Sequence, residues 1–331
     1  MNVIKYLNVN DIPKEWDNLI GDNLYMSLDF LKFLEDVEDY NQAYYALFDD
    51  EGKMDTIFMS FILPEYNLAM FTNFNLIQKM TMIYVPLSVT RPGIIYGKHL
   101  NEALEYIKKI KGPKMILNLG DLEAKGFAKG LTCPKCILTN RFNSFENYLD
   151  SMRSNYRQRY KKCFKKSKDL KLEYLVDNND FNEEMYQCYL NVYNKSKVKL
   201  EKLPIEFFRG KYFKIFVLKL ENKPVGFGQM LANGSELIFE FVGVDYEYNN
   251  QYDIYHRILL EIVKYGIENG FKTIDFGQTA DDSKLRLGAK YTKLYAYLHT
   301  TNILTNFINK RLARFIEYKP VKIDYNIFKE D

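Results

Sequence analysis

Two kinds of apolar spacing alternate between residues 236 and 288 of the chain. Residues 237–245 form an almost continuous apolar run, which predicts a buried strand, and the polar segment 246–251 predicts a loop. Between residues 253 and 269, apolar residues recur every three or four positions, as on one face of an amphipathic helix. Residues 271–276 predict a second strand. This crossover unit should therefore have two parallel strands joined by the helix.

The ends of this helix carry residues that often start and stop helices. Asp253 is the predicted N-cap, and Asn269 with Gly270 is the predicted C-terminal stop. Ligands of open parallel sheets bind at the carboxyl ends of the strands, and helix N-termini attract anions. We therefore expect a site at the carboxyl ends of these two strands, near the helix N-terminus.

The residues around the crossover unit predict further strands and helices. Residues 212–220 and 225–232 predict two strands joined by a turn, and a second turn leads into the strand at 237–245. Three antiparallel strands therefore precede the crossover. The other elements predicted in this half are a helix at 181–195, a strand at 294–299 and a terminal amphipathic helix at 302–315.

The first half of the chain contains a similar unit. A helix at 100–110 stops at Gly112 and leads into a strand at 114–119, and Gly112 and Gly270 are 158 positions apart (270 − 112). A predicted hairpin precedes the unit in each half. We interpret the chain as two tandem copies of one α/β unit, in residues 1–140 and 141–331. The alternative is that the two units are not a repeat, because any helix followed by a glycine and a strand would show the same similarity.

Composition and charge exclude few functions by themselves. The formal net charge is only +3, and no apolar run approaches the length of a membrane helix. No signal peptide is visible at the N-terminus, so we expect a cytoplasmic protein. Cys133 and Cys136 form a Cys-x-x-Cys sequence, but no second pair of cysteines and no nearby His completes a zinc site. Free thiols are the simpler interpretation, and we expect no metal.

A strongly basic segment lies between the two halves. Residues 153–171 contain nine Lys or Arg and one acid, Asp169, interleaved with Tyr156, Tyr160 and Phe164. Such a helix, with Arg157 among its cations, could grip a polyphosphate, a carboxylate-rich substrate or RNA. The alternative is a solvated helix face.

The order of these elements resembles the GNAT superfamily of N-acyltransferases. Residues 241–299, beginning FVGVDYEYNNQYDIYHRILLEIVKYGIENGF, resemble the C-terminal half of the tandem-GNAT, Fem-like branch, as does the basic segment SFENYLDSMRSNYRQRYKKCFKK. That branch includes the Fem-type peptidoglycan cross-bridge aminoacyltransferases and related Fem-like acetyltransferases. The resemblance implies an α/β fold of two tandem GNAT-like units, each a mixed sheet flanked by helices. The first would be degenerate and the second would carry the active site.

The resemblance also implies where an acyl donor would bind. In a GNAT fold the two parallel strands diverge, so the first strand can pair with an extended pantetheine while the helix N-terminus takes the pyrophosphate. The donor-binding residues that this predicts are Phe241, Val242 and Gly243 on the strand, and Asn249, Asn250, Gln251 and Tyr252 before the helix.

Three residues are candidates for catalysis. Glu240 is an acid within an apolar strand and could act as a general base, although it could also lie on a polar strand face. Asp275 ends the second strand, where sites form, but it could equally be a turn acceptor. Lys284 resembles the Fem-type lysine that contacts the substrate or the developing negative charge. Arg286 and Tyr291 are candidate substrate-binding residues, with surface charge and packing as their respective alternatives.

The segment before the helix departs from the acetyl-CoA-using pattern. Residues 246–253 contain no glycine, and Glu247 and Asp253 would repel a pyrophosphate. Fem-type enzymes, which take aminoacyl-tRNA, also lack a clean version of that loop. We expect acyl transfer from acyl-CoA to an amine of a small molecule or peptide. The alternatives are transfer from aminoacyl-tRNA to a cell-wall precursor, and a GNAT-fold protein that binds without catalysis.

Overall fold

The computed structural model of the chain describes residues 2–88, 90–196, 201–320 and 325–329. Most of its strands are short, and runs of consecutive strands are separated by helices. The strands are β1 (Asn2–Tyr6), β2 (Ala43–Phe48), β3 (Met54–Asn67), β4 (Ile77–Ile83), β5 (Ile94–Tyr96), β6 (Pro113–Leu119), β7 (Ala128–Leu131), β8 (Lys135–Thr139), β9 (Leu170–Tyr174), β10 (Phe213–Leu220), β11 (Lys223–Asn233), β12 (Glu236–Val244), β13 (Thr273–Asp275), β14 (Lys290–Thr292) and β15 (Tyr295–Thr300).

The α-helices are of very different lengths, and short 3₁₀ turns lie at Val9–Asp11, Lys14–Asn18, Leu24–Met26 and Asn178–Asp180. The helices are α1 (Leu28–Val37), α2 (Leu100–Lys109), α3 (Phe145–Ser151), α4 (Ser154–Lys166), α5 (Glu183–Lys195), α6 (Ile205–Phe208), α7 (Tyr246–Tyr252), α8 (Ile254–Glu268), α9 (Asp281–Leu285) and α10 (Ile303–Ile316).

The chain forms two compact units, and each is discontinuous in sequence. The first comprises Met1–Pro134 with Lys293–Val321, and the second comprises Lys135–Thr292 with Lys322–Asp331. This division differs from the 1–140 and 141–331 boundaries expected from the sequence. The reason is strand pairing: β15 joins the sheet of the first unit, and β8 joins the sheet of the second.

The first unit is built on a mixed sheet. Its strand order is β1-β2-β3-β4-β6-β15-β7, with β5 also paired to β3. β4 and β6 are parallel, and α2 crosses between them. Apolar residues of α2 pack on one group of sheet residues, and Ala313 of α10 packs with another group that includes Phe61, Met80 and Leu298.

The second unit repeats this arrangement. Its sheet has the order β14-β8-β13-β12-β11-β10-β9, and β12 and β13 are the parallel pair. The joining helix, α8, buries Ile254, Ile258, Ile262 and Val263 in the core of the unit. The crossover, the antiparallel β10-β11-β12 meander and the two tandem α/β units that the sequence predicts are therefore confirmed.

Corresponding glycines end the crossover helices of both units. Gly112 follows α2 with a φ of 86°, and Gly270 follows α8 with a φ of 72°. Both angles are left-handed, which glycine adopts without a steric penalty, so each chain can turn sharply from helix to strand. The predicted stop at Asn269 and Gly270 is confirmed, since Asn269 is the C-cap of α8.

The structure corrects two local predictions. Residues 246–252 form the helix α7 and not a loop, because the Asp245 side chain accepts the Glu247 N–H as an N-cap. Asp253 does precede α8, but it has a left-handed backbone with a φ of 54° and makes no side-chain cap hydrogen bond. It is a corner between two helices, and its carboxylate contacts His256.

The described residues contain neither a helix suited to crossing a membrane nor a group of three or more His, Cys, Asp or Glu placed to hold a metal. Cys133 and Cys136 are both buried, and burial raises the pKa of Cys136 to about 12. The thiol of Cys136 is therefore protonated at neutral pH, and it behaves as a small apolar residue of the core.

A buried lysine beside a histidine in the first unit predicts an effect of pH on stability. Lys114 is fully buried, and its Nζ lies 3.5 Å from Nδ1 of His299. Burial and the nearby Lys114 charge lower the pKa of His299 to about 4. The pKa of histidine in the unfolded chain is about 6.5, so the unfolded chain binds this proton at a higher pH than the folded chain does. The free energy of unfolding therefore decreases as the pH falls from about 6.5 toward 4.

We expect His299→Asn to lose less stability than the wild type between pH 7 and pH 4.5. The difference should be about 1–2 kcal/mol, allowing for partial exposure of the ring. Urea unfolding at several pH values measures it. His99→Asn removes another histidine of the same unit and should retain the wild-type dependence. Equal pH dependence in His299→Asn and the wild type would contradict the lowered pKa of His299.

Candidate active site

The parallel strands of the second unit pair over only three residues. Glu236, Leu237 and Ile238 of β12 face Thr273, Ile274 and Asp275 of β13. β13 then ends, while β12 continues to Val244. We call residues 241–244 of β12 the divergent edge, because β13 has left the sheet at this level. A diverging pair of strands exposes backbone groups with which an extended ligand can pair.

A β-bulge lies at Glu240, just before the divergent edge. Gln229 of β11 pairs with Phe241, whereas Met230 pairs with Phe239, so Glu240 is the extra residue. The bulge changes which side chains face which helix. Phe239 belongs to the core with α8, whereas Phe241 contacts the aromatic rings of Tyr189, Phe207 and Phe208 from α5 and α6. Glu240 itself is 5% exposed.

Gln229 is a residue that the sequence reasoning missed. It is fully buried, and neither side-chain amide atom has a hydrogen-bond partner within the described residues. Buried amides without partners are rare, because the lost hydrogen bonds to water are costly. Gln229 lies across the bulge from Glu240 and is thus a candidate ligand-contacting residue. The sequence signal was a single amide in the apolar run VGFGQMLA.

A buried polar cluster lies beyond the end of β13. Lys284 of α9 is 3% exposed and donates to the Gln278 carbonyl oxygen at 2.5 Å. Tyr291 of β14 donates to Asp281 Oδ2 at 3.0 Å. Lys284, Asp281 and Asp275 all act electrostatically on the Cys136 thiol, so the three charged groups lie near this residue. The cluster places a cation and two carboxylates in a poorly solvated region, where charges interact strongly.

Asp275 is fully buried and makes contacts that fix the end of β13. Its Oδ1 accepts the Gly277 N–H at 2.8 Å, and its Oδ2 lies 3.2 Å from Lys135 Nζ. Asp275 thus accepts a hydrogen bond in the turn after β13 and also forms an ion pair with Lys135. Burial of this carboxylate beside Lys135 also orients the backbone that leads to Gln278 and Lys284.

Two tyrosines hold the segment after α9 in place. The Tyr148 hydroxyl donates to the Leu287 carbonyl oxygen at 2.9 Å, and the Tyr160 hydroxyl donates to the Arg286 carbonyl oxygen at 2.6 Å. The Arg286 guanidinium pairs with Asp282 at 2.9 Å and lies over the ring of Tyr325. The position of Lys284 is thus set by contacts on both sides of α9.

The N-terminus of α8 does not fit a pyrophosphate. Asn249 Oδ1 accepts the Tyr255 N–H at 3.0 Å, so one of the N–H groups that would face an anion is already bonded. Burial alone would raise the pKa of Asp253, but the hydrogen bond and charge of His256 lower it overall. Asp253 is therefore ionised at neutral pH and would repel a phosphate at this position.

The basic helix α4 lies beside that corner. Lys166 Nζ donates to the Asn250 carbonyl oxygen at 3.2 Å, and Arg159 lies 3.2 Å from His256 Nε2. Arg157 does not extend away from the unit, since it bonds the Asp150 carbonyl oxygen and lies 3.7 Å from its carboxylate. Other cations of this helix are exposed, namely Lys161, Lys162 and Lys165. The α8 N-terminus is thus bordered by a positively charged surface.

A family comparison agrees with this geometry. Residues 150–285 match the model of the acetyltransferase (GNAT) domain, and the match spans the meander, α8, β13 and Lys284. This part of the chain is therefore similar to a GNAT domain. GNAT domains generally use acyl-CoA as a co-substrate, and the match itself does not distinguish among donors. No curated protein matched the sequence in a separate comparison.

Solved structures share the fold of the whole chain at low sequence identity. FemX superposes with a TM-score of 0.57 and 12% identity, covering 93% of this chain and 100% of its own. L-PGS from Bacillus licheniformis gives 0.52 and 11%, covering 93% and 98%. A conserved protein of unknown function from Bacteroides thetaiotaomicron gives 0.55 and 11%, covering 88% and 98%. The chain therefore shares the fold of these three proteins.

Most of the residues singled out in the sequence fall into three places in the second unit, and Arg157 and Arg286 lie elsewhere in it. Asp275, Lys284 and Tyr291 lie in or beside the polar cluster, and Glu240 precedes the divergent edge formed by Phe241, Val242 and Gly243. The remaining donor-binding candidates, Asn249, Asn250, Gln251 and Tyr252, belong to α7. Arg157 and Arg286 are engaged by Asp150 and Asp282. Their roles in a reaction stay predictions.

Proposed function

We propose that the second unit transfers an acyl group from an activated donor to an amine of a small molecule or peptide. The observation that carries this proposal is the divergence of β12 from β13, with a bulge at its start, in a GNAT domain. The acyl donor would pair with Phe241, Val242 and Gly243 in an extended conformation. The polar cluster beyond β13 supplies the charges that acyl transfer requires.

The proposed reaction assigns separate roles to Glu240 and Lys284. Glu240 would accept a proton from the acceptor amine, whose nitrogen then attacks the acyl carbonyl carbon. A C–N bond forms, the bond to the leaving group breaks, and the leaving group takes up a proton. Lys284 would stabilise the negative charge on the carbonyl oxygen, because a buried cation interacts with such a charge more strongly than one in water.

We further propose aminoacyl-tRNA as the donor, in preference to acyl-CoA. The α8 N-terminus carries an ionised Asp253 and a bonded Tyr255 N–H where a CoA pyrophosphate would lie. The exposed lysines of α4 beside this corner favour a larger polyanion, whose phosphates they could contact. The chain shares the fold of FemX, and the resemblance to Fem-type enzymes implies an aminoacyl-tRNA donor. The acceptor would then be a cell-wall precursor amine.

The salt dependence of RNA binding tests the donor. We expect the purified chain to bind tRNA with an affinity that falls steeply with salt concentration. Lys161→Gln/Lys162→Gln/Lys165→Gln should reduce the log–log slope by about 2 to 3, since each lost phosphate contact removes about 0.7 to 0.9. A filter-binding titration between about 50 and 200 mM salt measures both. Transfer of a labelled amino acid from tRNA to a peptide amine then tests catalysis.

The matched control removes three exposed lysines from the first unit. Lys109→Gln/Lys111→Gln/Lys125→Gln changes the net charge equally and should leave the slope unchanged. If tRNA binding were undetectable while CoA raised the melting temperature of the chain, acyl-CoA would be the donor and the tRNA proposal wrong. Saturable ligand binding without transfer from either donor would favour the non-catalytic alternative.

A further inference from the structure

Helix α10 of the first unit exposes most of its large apolar side chains and packs through asparagines and a few apolar residues. Ile303, Leu304 and Phe315 are 87%, 69% and 73% exposed. The contacting side consists of half-buried Asn306, Asn309 and Ile316 with the buried Ala313. A helix on the surface of a globular protein normally has the reverse orientation. The other large exposed apolar residues of α10 are Phe307, Ile308 and Leu312.

Specific hydrogen bonds fix α10 in this orientation. Asn306 Nδ2 donates to the Gly126 carbonyl oxygen at 2.9 Å, and its Oδ1 accepts the Thr300 N–H at 3.1 Å. At the other end, Glu317 Oε2 accepts the Leu131 N–H at 2.9 Å. The apolar side is therefore presented outward by contacts at both ends of the helix.

The charges of α10 are all of one sign. Residues 303–316 contain Lys310, Arg311 and Arg314 and no acid. The guanidinium carbon of Arg311 lies 4.5 Å from the ring centroid of Phe307, so this basic side chain lies beside one of the exposed apolar residues. Long basic side chains in this position can leave their stems in an apolar layer while their charges reach phosphate headgroups.

A second exposed apolar group lies near the end of α10. Phe74, Leu76 and Ile77, at and near the turn between β3 and β4, are 76%, 51% and 58% exposed. The same turn region contacts the residues after α10, since the rings of Phe71 and Tyr318 are 5.3 Å apart. Clustered exposed apolar residues on neighbouring elements of one unit indicate an interaction surface.

We propose that α10 binds the surface of an anionic lipid bilayer. The 14 residues of the helix span about 21 Å, so it would lie in the plane of the headgroups. Its apolar side would enter the boundary between headgroups and acyl chains, and Lys310, Arg311 and Arg314 would contact lipid phosphates. The uniform positive charge favours this partner over a second copy of α10, whose like charges would repel. The proposal does not depend on the reaction of the second unit.

Vesicle flotation of the full chain tests this proposal. We expect binding to vesicles of about 30% phosphatidylglycerol in phosphatidylcholine, and binding at least tenfold weaker to pure phosphatidylcholine. Leu304→Glu/Phe315→Glu should reduce binding to the anionic vesicles more than tenfold. Lys310→Gln/Arg311→Gln/Arg314→Gln should also reduce it more than tenfold, because each basic residue near an anionic surface strengthens binding about fivefold.

The control is Val176→Glu, which places one glutamate at an exposed apolar residue of the second unit and should bind like the wild type. Circular dichroism checks that every variant is folded. Equal binding of the wild type to neutral and anionic vesicles would overturn the proposal, and so would no binding to either. A concentration-dependent dimer that Leu304→Glu/Phe315→Glu abolishes, without vesicle binding, would instead identify α10 as a contact between copies of the chain.

Discussion

Replacing Lys284 by Met should reduce acyl transfer by about 10²–10³-fold while leaving the second unit folded. Removal of one group that stabilises the oxyanion of an acyl-transfer intermediate has an effect of this size. Met retains most of the volume of the buried side chain, so the packing around α9 should change little. The Gln278 carbonyl oxygen loses its 2.5 Å contact with Lys284, which predicts a modest loss of stability.

The split between rate and binding constants decides whether Lys284 acts in the reaction. An interaction made mainly in the transition state lowers kcat and kcat/KM together, whereas loss of substrate binding alone raises KM. We expect the first pattern for Lys284→Met. Lys290→Met alters an exposed lysine nearby and should retain wild-type kinetics. Wild-type kcat in Lys284→Met would show that the buried cation has no role in transfer.

The crossover units could be predicted because their information is local. The apolar spacing of α8 and the glycines after α2 and α8 specify a helix and its end without reference to the rest of the chain. The helix α7 could not be predicted in this way, because residues 246–252 have no apolar period. It is stabilised by the Asp245 cap and by packing of Tyr246, Tyr248 and Tyr252 against the core.

The sheet to which a strand belongs is not encoded in its own residues. The sequence predicts a strand at 294–299 but places it after β13 by chain order alone. In the structure, β15 lies between β6 and β7, and His299 pairs with Lys114 in its register. Such pairing depends on residues that are far apart in sequence, and periodicity carries no information about the partner.

The candidate site could be predicted only in part, because it also depends on the pairing of strands. Lys284 could be found from its family resemblance, and Glu240 from its charge within an apolar run. The bulge could not be found, since it exists only in the register between β11 and β12, and this register makes Gln229 a neighbour of Glu240. The pairing of Arg286 with Asp282, four residues apart, was not predicted, because α9 is too short to show a helical period.

Gly243→Ala should destabilise the second unit by about 1–3 kcal/mol, the usual effect of overpacking a core. A Cβ at this position would lie 2.2 Å from Phe227 Cε1 and 2.8 Å from Cys188 Cβ, so the buried Phe227 ring would have to move and β12 and α5 would have to separate. Because Gly243 lies on the divergent edge, the same displacement should also lower acyl transfer. Gly120→Ala is the matched control, since nothing lies within 4 Å of its added Cβ. Urea unfolding of both variants measures the difference, and a change below about 0.5 kcal/mol in Gly243→Ala would mean that α5 yields to the methyl group without cost.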